Sequence, residues 1–249
     1  LSISALASLT YSSNAAIIRL CRKVGCDGYK DFRIALAQEV EKDKRKKKKI
    51  DVNYPFASKE NAGTIMRSVA DISREAIDTA LESVSPYALE KAASLIRNAN
   101  CVHIYATGDT QISAIAFSNM LSKLGILTIN ALEYHESMSY VYTARDNDVA
   151  LFVTYSGEIM KHLRQQIREL RKRNVKTILI SSLESYPWID VVVTIPAREN
   201  AVGKTAGYYS QALLRYVMNC IYGIIYSWDL NANRQRKDDS DQAAVDIAK

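Results

Sequence analysis

Apolar residues recur along the chain in three successive patterns. In the first, Ile3, Leu6 and Leu9 follow Ser2 at helical spacing, and Ile17, Leu20, Cys21 and Val24 follow Ser13 in the same way. A serine hydroxyl accepts from the free N–H groups of a first helical turn, so each serine predicts a helix start. Thr10, Tyr11 and Ser12 interrupt the periodicity and predict a tight turn between two short helices. Gly25 suits a helix C-terminus, and GYKDFRIALAQEV, from Gly28, predicts a third helix with Phe32, Leu36 and Val40 on one side.

The second pattern follows a break. KDKRKKKK, Lys42 to Lys49, and NYPF, in which Pro55 biases Tyr54 away from helix, predict a linker over about 41–58. Beyond it Ile65, Val69, Ile72, Ala76 and Ala80 lie on one helical face, and Ser85 with Pro86 predicts the start of another helix reaching Ala99.

From Cys101 short apolar runs alternate with helical lengths. The predicted strands are Val102–Ala106, Ile126–Ile129, Val149–Thr154, Thr177–Ser181 and Val191–Ile195. Their unbroken apolar character predicts strands covered on both faces, and the spacing suits right-handed crossovers. The expected fold is therefore α/β, a five-stranded parallel sheet flanked by helices and preceded by a small all-α unit. A long apolar helix over about Thr205 to Trp228 and a polar tail complete the chain. The tail is expected to be disordered or a loosely held helix.

Composition narrows the function classes. Of 249 residues 48% are hydrophobic and 24% charged, and no apolar run approaches the roughly 20 residues that span a bilayer. No membrane partner is expected. The chain begins at Leu1 with neither an initiator Met nor a signal pattern, so it is expected to start inside a longer gene product. Cys21, Cys26, Cys101 and Cys220 form no C-x-x-C pair and the three histidines have no ligand spacing, which predicts reduced thiols in a cytoplasmic protein and no metal site. Charge is unevenly divided: residues 1–40 carry +2, residues 41–49 carry +5 and the remaining 200 about −1. That asymmetry predicts a polyanion partner for the N-terminal end alone.

Two strand-to-helix junctions carry candidate chemistry. IYATGDTQIS places Gly108, Asp109 and Thr110 after the first strand, and VTYSGEI places Thr154, Tyr155, Ser156 and Gly157 after the third. Ligands of open parallel sheets bind beyond the carboxyl ends of the strands, where helix N-termini offer N–H groups to an anion and hydroxyls add donors. Neither junction is G-x-x-x-x-G-K-[ST] or G-x-G-x-x-G, so nucleotide cofactors lack their phosphate cradle and none is expected.

T-x-S-G-E, Thr154 to Glu158, with G-x-T at Gly108 to Thr110, resembles the two phosphate loops of the sugar isomerase (SIS) domain, and YSQALLRYVMNCIYGIIY resembles its closing helix. I-x-R-x-C-R-K-x-G from Ile17 to Gly25, followed by G-Y-K-D-F from Gly28 to Phe32, resembles the helix-turn-helix of the RpiR family of transcription factors. The resemblance implies a DNA-binding head over 1–40, a basic linker over 41–58 and a phosphosugar-binding domain over 59–249. It implies operator DNA and a small phosphorylated sugar as partners, in a homodimer or larger assembly. The candidate interface is the helical stretch from Asn61 to Ala99 with the apolar helix. Gly108, Thr110, Thr154, Tyr155, Ser156, Gly157 and Glu199 are the candidate sugar-phosphate residues. Ser13, Asn14, Ala15, Ile18, Arg19 and Arg22 are the candidate DNA residues, since the first turn of a recognition helix enters the major groove.

The chain departs from the family pattern at five places. Thr154 replaces a Ser and Ile159 a Thr in the second loop, Ala106 replaces a Gly in the first, and Asp109 adds a negative charge. Thr10 and Tyr11 stand where the turn of the head often has Gly. Glu158, His135 and Glu199 are the candidates for a carbonyl-shifting base if the protein is instead an isomerase. The basic head favours the regulator, with no catalytic residue assigned.

Overall fold

Serine capping starts the chain as expected. In a computed structural model that describes residues 1–47, 50–131 and 137–247, the chain divides into two compact units, Leu1–Ile50 and Asp51–Lys249. In the first, α1 (Ile3–Leu9) is capped by Ser2, whose hydroxyl accepts from Ala5 N–H at 3.1 Å, and α2 (Asn14–Lys23) by Ser13, accepting from Ala16 N–H at 3.2 Å. Between them the exposed Tyr11 takes φ 50°, so the turn adopts the left-handed geometry that glycine would fill without strain. After α2, Gly25 at φ 82° sends its N–H to Arg22 C=O and Cys26 N–H to Cys21 C=O, the paired bonds of a Schellman cap. Ala7, Ile17, Cys21 and Cys26 form a small core, with Ile3, Leu6, Tyr29 and Phe32 packed against it.

The predicted stripes are corrected here. Leu20 and Val24 are 50% and 55% exposed, and so is Leu36 at 50%, because a core this small reaches only one side of each helix. The third helix, α3 (Tyr29–Lys47), continues through the first part of the expected linker. From Asp51 the rest of that linker is packed on the second unit: Val52 is buried and Asn53 is hydrogen-bonded to residues 200 and 205.

The second unit opens with α4 (Ala62–Ser83), capped by Asn61, and α5 (Pro86–Arg97), capped by Ser85 with proline in its first turn. Then come β1 (Val102–Tyr105), α6 (Asp109–Ser122), β2 (Thr128–Ala131), α7 (Ser137–Thr143), β3 (Val149–Val153), α8 (Arg164–Lys172), β4 (Lys176–Ser181), β5 (Val191–Thr194), α9 (Tyr208–Trp228) and α10 (Leu230–Ile247). The five strands pair in parallel in the order β2-β1-β3-β4-β5. Strand residues alternate between two buried faces. Tyr105, Ala150, Phe152 and Leu179 pack with Val141 of α7, with Ala144 just after it, and with Ile167 and Leu170 of α8, while α9 packs among α4, α5 and α6.

The buried stripe of α9 runs from Tyr209 through Leu213, Val217 and Ile221 to Ile225. Its apolar character is thus accounted for inside the unit and does not by itself call for a partner chain. The polar tail is helical, held by Asn233 Nδ2–H to Tyr226 C=O at 3.1 Å and Arg236 Nη1–H to Leu124 C=O at 2.8 Å. No helix among the described residues is long and apolar enough to cross a membrane.

Candidate functional site

The carboxyl ends of the parallel strands share one edge of the sheet, so the loops after β1, β3 and β5 are brought together there. Between them lies a pocket of about 240 Å³ whose wall includes Thr110, Thr154, Tyr155, Ser156, Lys204 and Ser210. Four of the sequence-predicted residues therefore meet in one place. Gly108, Gly157 and Glu199 are not part of the wall and act on it from behind.

Each loop is shaped by identifiable contacts. After β1, Gly108 at φ 60°, ψ −142° delivers the chain into α6, which begins with no side-chain cap. After β3, Gly157 takes φ 75° and leads into a single 3-10 turn, Glu158–Lys161, with α8 starting only at Arg164. The helix expected at this strand-to-helix junction therefore does not start directly behind VTYSGEI. Gly157 N–H is engaged by Thr154 Oγ1 at 3.3 Å, and Ser156 Oγ accepts from Glu158 N–H at 3.4 Å. The second loop thus uses part of its own polar capacity to hold its shape, and the hydroxyl hydrogens of Thr154 and Ser156 remain for a ligand.

Tyr155 joins this loop to the one after β5. Its hydroxyl accepts from Arg198 N–H at 2.7 Å and Glu199 N–H at 3.0 Å. Burial pushes the phenol up, and the two N–H donors pull it part of the way back. Glu199 is buried, with its Oε2 accepting from Lys204 Nζ–H and from Ser210 N–H, both at 3.2 Å. Its Oε1 is buried and has no hydrogen-bond partner among the described residues. The carboxylate lies against the start of α9, where the positive end of the helix dipole and the Lys204 cation offset its charge.

The pocket therefore meets the N-terminal turn of α6, which has no side-chain cap, and that of α9, where Ser210 N–H already donates to Glu199, together with the ammonium of Lys204 and the hydroxyls of Thr110, Thr154 and Ser156. Such a donor set suits a small anion. Two carboxylates also line it. Glu158 is paired with Lys161 at 2.8 Å. Asp109, at the first position of α6, has its Oδ2 3.7 Å from where a Cβ on Gly207 would stand.

Lys204, Gly207, Ser210 and Gln211 were not among the residues expected from sequence. The available signal was AVGKTAG ahead of the long apolar helix, a small-residue loop with one cation at a strand-to-helix junction like the other two. Ile159 lines the pocket where the family pattern has a hydroxyl. His135 lies outside the described residues. Among the described residues no cluster of three or more His, Cys, Asp or Glu could hold a metal.

On the first unit, Asn14, Ala15, Arg19 and Arg22 of α2 are exposed and Ile18 is half-buried. Ser13 is exposed while its oxygen caps the helix. These residues give α2 an outer face that is polar and basic.

Residues 1–43 match the helix-turn-helix domain of the rpiR family, and residues 95–218 match the SIS domain. The chain belongs to the RpiR family. An HTH-type transcriptional regulator of Caldanaerobacter subterraneus is 25% identical over 187 residues, covering 75% of this chain and 64% of the relative. The regulator YbbH of Bacillus subtilis is 24% identical, covering 72% and 61%. This RpiR-family chain thus spans a little under two thirds of the length of these relatives. Among solved structures, the NanR protein of Vibrio vulnificus complexed with ManNAc-6P has a TM-score of 0.64 at 16% identity, covering 99% of this chain and 86% of NanR. The sugar isomerase domain of an RpiR transcription factor from Sphaerobacter thermophilus has a TM-score of 0.59 at 19% identity, covering 72% and 98%. An E. coli CFT073 protein in complex with A5P has a TM-score of 0.58 at 15% identity, covering 70% and 97%.

Proposed function

We propose that this RpiR-family chain is a cytoplasmic transcriptional regulator that reads operator DNA through α2 and responds to a small phosphorylated sugar bound between the loops after β1, β3 and β5. One observation carries the effector half of the reading: Lys204, the uncapped N-terminus of α6 and three hydroxyls face one pocket. The names of the relatives and the phosphosugars in the neighbours' complexes support it. Residues 1–40 form the reading head, 41–58 the connecting segment and 59–249 the effector domain. Glu199 is read as a structural and recognition carboxylate, since one of its oxygens already serves Lys204 and the α9 N-terminus.

The test is titration of the full chain with hexose, hexosamine and N-acetylhexosamine 6-phosphates, followed by thermal stability and by product analysis. Saturable stabilisation without turnover is expected, and turnover would make the protein an isomerase. A charge-assisted hydrogen bond to phosphate is worth about 1.5–3 kcal/mol, so Ser156→Ala is expected to weaken the binding phosphosugar by roughly 10-fold to 100-fold. Unchanged affinity would reduce VTYSGEI to a structural loop.

For the head, Asn14 and Ala15 are placed to approach base edges and Arg22 to approach a phosphate. Sequences selected by the full chain from a random duplex library are expected to change with Asn14→Ala. Arg22→Ala is expected to weaken all duplexes alike and to lower the salt slope by about 1. If both variants select and bind as the parent does, α2 is not the reader. The lysines of residues 42–49, whose side chains lie outside the described residues, add sequence-independent attraction on this reading.

Two half-sites call for two heads, so a homodimer is proposed. Met66 and Leu81 on α4, 72% and 71% exposed, are candidate contacts. Sedimentation as a monomer at micromolar concentration would remove that part.

A further inference from the structure

The loop that supplies Lys204 is held in place by the stretch through which the chain enters the second unit. Asn53, three residues after the boundary at Ile50, accepts from Asn200 N–H through its side-chain oxygen at 2.7 Å and from Thr205 N–H through its backbone carbonyl at 2.8 Å. The two amides bracket the segment that contains Lys204. Around this clamp Val52 is buried, and Phe56 meets Tyr208, the first residue of α9, edge to face at 5.6 Å. The Tyr54 hydroxyl lies 3.4 Å from where a Cβ on Gly203 would stand. Asn53 is itself held by its own N–H donating to Asp51 Oδ1 at 2.9 Å.

Four successive contacts of one short segment therefore fall on the loop over 200–207 and the first turn of α9, the part of the molecule that contributes Lys204, Gly207 and Ser210 to the pocket. Directly before that loop stands Glu199, whose carboxylate ties Lys204 to the α9 N-terminus. An anion that draws Lys204 toward the pocket pulls on a loop whose two ends are fastened to residue 53. A change in the loop then reaches the covalent connection to the helical head without passing through the sheet.

We infer that Asn53 is a positioning residue that latches the connecting segment 51–56 to the Lys204 loop, so that occupancy of the pocket and the state of the connector rise and fall together. Differential contacts of this kind are what a ligand needs to bias a distant equilibrium. The inference rests on the proposed effector site for the nature of the ligand, while the latch stands on the contacts themselves.

Hydrogen exchange on the full chain tests it, with Asn53→Ala and with Asn53→Asp, which retains the accepting oxygen. In the unliganded protein, Asn53→Ala is expected to speed exchange on the order of tenfold, the worth of one hydrogen bond, in 51–56 and 199–207 together. Asn53→Asp is expected to restore both. Faster exchange in one segment alone, or no rescue by Asp, would overturn the latch. With the hexose, hexosamine and N-acetylhexosamine 6-phosphates as probes, any sugar phosphate that protects 199–207 is expected to protect 51–56 as well. In Asn53→Ala it should still protect 199–207 but no longer 51–56. Protection of the loop without the connector in the parent chain would overturn the coupling. If no probe protects the loop while the two-segment response to Asn53→Ala holds, the latch stands and the phosphosugar reading falls.

Discussion

Lys204→Met is expected to abolish measurable phosphosugar binding and to lower the melting temperature of the chain in the same step. The ammonium lines the pocket and is bonded to a fully buried carboxylate: the Lys204 side chain is 22% exposed and that of Glu199 is 0%. Losing a charge-assisted contact to phosphate weakens affinity by about 10-fold to 100-fold, and leaving the Glu199 carboxylate without its countercharge beside the pocket adds to that. Stability falls for a separate reason. Removing one partner of a buried pair costs about 3–5 kcal/mol because the other charge is left uncompensated. Here the Ser210 N–H at 3.2 Å and the partial exposure of Lys204 soften the loss. A cost of about 2–3 kcal/mol, or a fall in Tm of about 5–10 °C, is expected. The two effects separate in the double variant. Glu199→Gln with Lys204→Met removes the stranded charge and should recover most of the melting temperature while affinity stays lost. Calorimetric unfolding and a phosphosugar titration on Lys204→Met and on the double variant decide it. Retained affinity in Lys204→Met would move the anion site elsewhere.

That lysine also marks where the sequence stops being sufficient. The strands were legible because each is an apolar run covered on both faces, and four of the five begin within one residue of the expected position. β2 is the exception, starting at Thr128 in place of Ile126. Gly125 turns at φ 76° and leaves Leu127 68% exposed, and the register is set by pairing of Thr128 with Val102. An apolar run alone does not contain that pairing. The two hydroxyl-bearing loops were likewise legible, since strand order in a parallel sheet puts alternate junctions at one edge. What was not legible depends on contacts distant in sequence: Tyr155 holds residues 198 and 199, and Glu199 holds Lys204 and the start of α9. In the head, Leu20 and Val24 share a helical face with Ile17 and Cys21, but only the latter two find a partner surface.

The second large effect is expected at Gly157→Ala. Gly157 sits at φ 75°, and a Cβ built on it would lie 2.5 Å from Leu183 Cδ1 and 2.6 Å from its Cγ. Two costs follow. Placing a side chain in the left-handed region costs about 1–2 kcal/mol, and forcing a methyl against Leu183, which packs on the core beneath β3 and β4, costs about 1–3 kcal/mol more. The loop relieves this overlap by moving, and Ser156 and Thr154 move with it, so affinity falls as well as stability. Leu183→Ala supplies the complementary background. It opens the space the methyl needs, so Gly157→Ala in that background should cost only the backbone strain, about 1–2 kcal/mol. The double-mutant cycle, read by denaturant unfolding, is therefore expected to show a favourable coupling of about 1–3 kcal/mol between positions 157 and 183. Strict additivity would mean that Leu183 yields freely and that the glycine is required for its backbone angle alone.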